Sequence, residues 1–129
     1  MTTPFEDVVA AQLLGLLQAG APARAVRLTV RELVVTRIER GPLGAREVSD
    51  AMEAVMRAAC QLVLTLGAPE ELVETVCRGA IEGIRGHGGE STRWLPDATT
   101  AVYVVLEELA RERAAEPEWR WLAQQIPRW

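Results

Sequence analysis

Lysine is missing from this chain altogether; all 14 basic side chains are arginine. That excludes a Walker-type phosphate loop, whose glycines must be followed by Lys before Ser or Thr. Histidine occurs once, at position 87. A helical di-iron site needs paired Glu-x-x-His ligands, and Ile84 stands where that glutamate would be. No nucleophile motif lies beside His87, so no catalytic triad is legible. The two cysteines, Cys60 and Cys77, lack the short paired spacing of a zinc site. They are expected to be reduced, structural thiols that pack as small hydrophobes. Positive charge is in deficit: the formal net charge is −4, which argues against a nucleic-acid partner. No apolar run approaches the roughly 20 residues that span a bilayer; the longest, CQLVLTLGA, is far shorter. The opening MTTPFEDVVAAQ has no basic segment and carries Glu6 and Asp7, so no secretory signal is expected and the location expected is cytoplasmic. Neither a metal nor any other cofactor is expected.

What is present is an ordinary globular composition, 49% apolar and 25% charged over 129 residues. That suits one domain, 1–129, able to bury its own core. Glycine and proline punctuate it regularly. QAGAPAR sets Gly20 after one apolar-periodic run and Pro22 before the next, and TLGAPEE repeats this with Gly67 and Pro69. Glycine beyond a helix end takes up the left-handed conformation cheaply, and proline suits a first helical turn because its missing N–H had no partner there. Thr3 and Glu6 have the spacing of a capping box. These signals predict an all-α bundle: helices at about 4–18, 22–40, 45–66, 69–85 and 92–114, and a short sixth at 117–126. The third shows Val48, Met52, Val55, Met56, Ala59, Leu62, Val63 and Leu66 at helical spacing; the fourth shows Leu72, Val73, Val76, Cys77, Ala80, Ile81 and Ile84.

AVRLTVRELVVT, within the second segment, is rich in β-branched residues, and Val26, Leu28 and Val30 alternate as in a strand. Val26, Val30, Leu33 and Val34 also form a helical stripe, and a lone strand would have no partner; helix is the expectation. AAQLLGLLQAGAPARAV and AACQLVLTLGAPEELV share a helix, a Gly-Ala-Pro hinge and a second helix, a hint of two duplicated hairpins.

Three stretches invite a functional reading. GIRGHGGEST, residues 83–92, is chiefly a linker: Gly86 is expected to end the fourth helix, and Ser91 or Thr92 to cap the next. A free-amide nest at His87, Gly88, Gly89 and Arg93 is the anion-binding alternative. Gly79 and Gly83 lie four apart inside the fourth helix. Glycine there costs roughly 1 kcal/mol against alanine, which points to a close helix approach, internal in preference to a dimer contact. The tail EPEWRWLAQQIPRW holds three of the four tryptophans. Trp119, Leu122 and Ile126 share one face of a short helix, while Trp121 and Gln125 project elsewhere and Trp129 follows it. Trp is enriched at interface hot spots, so 115–129 reads as a docking or capping segment, with Trp119, Trp121, Leu122, Ile126 and Trp129 as contact residues.

VRELV, AMEAVMRAA and CRGAIEGIRG, within residues 26–86, resemble small bacterial helical-bundle proteins of the phasin-like and uncharacterised types. The resemblance implies self-association and binding to a larger assembly without catalysis; the glycines and the Trp-rich tail depart from it, and it assigns no site residue. The function expected is a non-catalytic interaction or adaptor module that forms homo-oligomers. The alternative is a regulatory or sensory domain holding a small apolar ligand between helices.

Overall fold

Gly20 and Gly67 both adopt φ +67°, a left-handed conformation that a side chain would resist, and each turns the chain back on itself. At the first turn the Ala21 N–H donates to the Leu16 carbonyl at 3.0 Å, and at the second the Ala68 N–H donates to Leu62 at 3.2 Å. Helix-end carbonyls are thereby satisfied, and the apolar stripes on either side of each hinge are turned into one common core. The computed structural model describes residues 4–40, 44–69, 71–87 and 93–112. Among these there are five helices and no strand: α1 Pro4–Gln18, α2 Ala23–Glu39, α3 Ala45–Leu66, α4 Glu71–His87 and α5 Leu95–Glu112. The expected all-α fold is therefore present, and the β-branched 26–36 stretch is helical. Its stripe of Val26, Val30, Val34 and Ile38 is buried. The sixth helix expected at 117–126, and the Thr3 partner of the capping box, lie outside the described residues.

The two hinges generate hairpins α1–α2 and α3–α4, which stack side by side. The α2–α4 contact is the most extensive of the fold and is set by backbone proximity. A Cβ built on Gly79 would lie 2.5 Å from the Arg27 carbonyl oxygen, and one on Gly83 would lie 2.9 Å from that of Arg31. Both helices advance four residues in the same direction between these contacts, so α2 and α4 run parallel. The glycine pair thus serves internal packing, as its spacing implies. Helix α3 is the centre of the other layer, with α1 on one flank and α5 on the other. Between the layers lies a continuous core that includes Leu13, Met52, Met56, Ile84 and Leu106.

Several boundaries differ from expectation; Pro69, expected to open the fourth helix, lies outside α4, which begins at Glu71. Pro22 is the N-cap of α2, one residue ahead of the first turn expected for it, and its carbonyl accepts from the Ala25 N–H at 3.0 Å. Helix α4 does not stop at Gly86 but continues to His87. The Arg31 side chain lies against that last turn, with Nη2 3.3 Å from the Cβ site of Gly86; the missing side chain makes room for α2. Helix α5 starts at Leu95. A start at 92 would put Pro96 in the fifth position, where its ring collides with the preceding turn; as the second residue it collides with nothing.

Candidate functional site

On the surface of α2 opposite α4, apolar side chains meet solvent. Arg27, Arg31 and Val34 turn toward α4; Thr29, Leu33, Thr36 and Arg40, on the other side of the same helix, border an open groove. Its second wall is α1, through Pro4, Phe5, Val8 and Gln12, and its volume is about 830 Å³. Val8 and Leu28 are 48% and 41% exposed, well above the core stripes of their helices. Both escape burial because α1 and α2 turn Val9, Leu13, Val30 and Val34 inward, which leaves the neighbouring helical positions outside. Glu32, Arg37 and Arg40 supply a charged rim.

Around the N-terminus of α1 the groove adjoins a smaller cleft that shares Pro4, Phe5 and Arg37 with it and reaches Arg57 of α3. Arg57 is the polar joint of the layer. Its Nη1 donates to Glu108 Oε2 on α5 at 2.8 Å and its Nε to Glu53 Oε1 at 3.0 Å. The Glu108 hydrogen bond, above all, raises its pKa further. With about two-fifths of each side chain exposed, the pair fixes the position of α5 more than it adds stability.

Glu6 stands close by, only 7% exposed. Burial raises its pKa above the ordinary glutamate value, and the positive charge of Arg57 opposes that rise. A raised folded-state pKa means that the native chain binds this proton more tightly than the unfolded chain does. Stability is therefore lost as pH rises from the ordinary glutamate range through the folded value. Glu6→Gln is expected to be more stable than the parent at neutral pH, with the advantage gone at pH low enough to protonate both states. Urea midpoints of the two proteins across that range measure the effect, and a parallel pair of curves contradicts it.

Of the sequence candidates, only His87, Arg93, Cys60 and Cys77 fall within the described residues. His87 is the last residue of α4 and not part of a turn, while Gly88 and Gly89 lie outside the described residues. Arg93, before α5, has its guanidinium 5.9 Å from the centre of the Trp94 ring, within cation–π range. Trp119, Trp121, Leu122, Ile126 and Trp129 also lie outside the described residues. Cys60 and Cys77 are buried, unbridged thiols. Burial drives the Cys77 pKa far up, and Cys60 adds to the rise, so Cys77 stays a protonated, unreactive thiol. Among the described residues no cluster of three or more His, Cys, Asp or Glu could hold a metal ion, and no helix is long and apolar enough to cross a membrane.

Sequence reasoning missed the groove and the Arg57 joint. The Glu53–Arg57 spacing of four was a readable local signal, but Glu108 lies 51 positions from Arg57 and nothing local announces it. No family model, curated protein or solved structure matches this chain.

Proposed function

We propose that this chain is a non-catalytic protein-interaction module of the cytoplasm, one that self-associates and uses residues 115–129 as its contact segment. The supporting observation is the apolar groove between α1 and α2, with Val8 and Leu28 open to solvent on its walls. Contiguous exposed apolar surface with a polar rim is characteristic of interaction sites. The groove's volume also falls in the range of small-molecule pockets. However, its form, an open trough between two helices, suits an amphipathic helix better than an enclosed ligand. The resemblance to phasin-like bundles favours the same reading, because those proteins associate with one another and with larger assemblies.

Removal of residues 117–129 tests the role of the tail. The shortened chain is expected to keep a cooperative helical melting transition and to sediment with fewer copies per particle than the parent. An unchanged number of copies, or loss of the folded state, would show that the tail is not the contact segment.

A further inference from the structure

A quarter of the residues in this chain are charged, yet residues 8–23 carry no charge at all. Helix α1 nevertheless lies on a flank of the fold, with Val8, Ala11, Gln12 and Gln18 exposed. The outer side of a surface helix is ordinarily charged or polar. A patch emptied of charge, with charges only at its edge, has instead the composition of an interface centre. The charges of this face stand on α2. There Arg24, Leu28 and Glu32 follow one another at intervals of four and form one row along the helix. All three are exposed, Leu28 by 41%, and Leu28 and Glu32 stand on the wall of the groove. Among the described residues Arg27, Arg46, Arg57 and Arg78 each hold a carboxylate, whereas neither Arg24 nor Glu32 makes an ion pair. The row is its own complement. Turned end for end about Leu28, it sets Arg24 opposite Glu32, Glu32 opposite Arg24, and Leu28 against itself.

We propose that the α1–α2 face binds the same face of a second copy across a twofold axis at Leu28, with the two α2 helices antiparallel. Arg24 of one copy and Glu32 of the other then lie at the same height, four residues or about 6 Å from the centre. Across a helix spacing of about 8–10 Å, the long arginine side chain reaches that carboxylate. A parallel pair would oppose Arg24 to Arg24 and Glu32 to Glu32, so the charges select the direction. Helix α1 lies beside α2 on this face, and its uncharged stretch is covered without burying an unpaired charge. The inference rests on the self-association proposed above and adds to the tail a second contact. This one closes on two copies, because each face is used up by its mate.

Sedimentation and native mass measurements on the full chain test this through charge reversals at exposed positions. Arg24→Glu leaves two acids on the row, and Glu32→Arg leaves two bases. Helical circular dichroism confirms that each variant is folded. Each single variant is expected to bind itself about tenfold more weakly than the parent, or more weakly still, since both pairs across the axis become repulsive. The double variant Arg24→Glu/Glu32→Arg carries the row reversed and is expected to recover the parental association. An equal mixture of the two single variants is expected to recover it as well, with one of each in every pair, because the acidic row of one faces the basic row of the other. Single variants that associate like the parent, or a double variant no better than the singles, overturn this contact and leave the tail contact standing. A parent that is monomeric at every concentration removes the self-association reading, and this inference with it.

Discussion

A Gly79→Ala variant is expected to unfold roughly 8 °C below the parent, the loss that about 2 kcal/mol produces in a domain of this size. Two effects compete at this position. Alanine is favoured over glycine within a helix by about 1 kcal/mol. The added methyl, however, would sit 2.5 Å from the Arg27 carbonyl oxygen, far inside van der Waals contact. The obstacle is backbone and cannot rotate away, so α2 and α4 must separate along the most extensive contact of the fold. Overpacking of a tight interior costs about 1–3 kcal/mol, occasionally more, and the separation also loosens Gly83, whose Cβ site lies 3.1 Å from the Val34 Cβ. The packing loss outweighs the propensity gain. Gly15 supplies the control, since it is exposed inside α1 with nothing within 4 Å of its Cβ site. Gly15→Ala is expected to raise stability by about 0.5–1 kcal/mol. Thermal unfolding followed by circular dichroism distinguishes the two, and a Gly79→Ala midpoint at or above that of the parent would show that α2 and α4 are not in close contact.

The same glycines show how far the sequence could be read. Their spacing, and the cost of glycine inside a helix, marked a close helix approach, yet nothing local to residues 79–83 names α2 as the partner. Faces are written in short-range periodicity, whereas the pairing of faces is a property of the whole chain. The hinges at Gly20 and Gly67 were legible because a left-handed residue followed by Ala-Pro leaves few alternatives. The helical state of 26–36 was legible chiefly because a strand there would lack a partner. The groove was not legible, because Val8 and Leu28 belong to no stripe and their exposure depends on which sides of α1 and α2 are taken up by α3 and α4. The sequence candidates for function went largely to 115–129, and the structure adds a surface at the opposite end of the chain, which no motif announced.

Met56→Ala is expected to cost about 2–3 kcal/mol, while Leu66→Ala on the same helix is expected to cost less than about 0.5 kcal/mol. Both residues belong to the apolar stripe of α3, and spacing alone ranks them equally. Met56 has no exposed surface, whereas Leu66 is 61% exposed at the residue before the Gly67 hinge. Periodicity gives the direction in which a side chain points but not whether a neighbouring helix extends far enough to cover it. Met56 belongs to the buried core to which all five described helices contribute, so truncating it opens a void inside that core. The flexible thioether leaves surroundings that collapse more readily than those of a branched side chain, which places the loss in the lower part of the usual range for such truncations. Urea denaturation of the two variants, analysed with a common dependence on denaturant, provides the comparison. Similar losses at the two positions would mean that the end of α3 is as enclosed as its middle, and the two-layer arrangement around α3 would then be wrong.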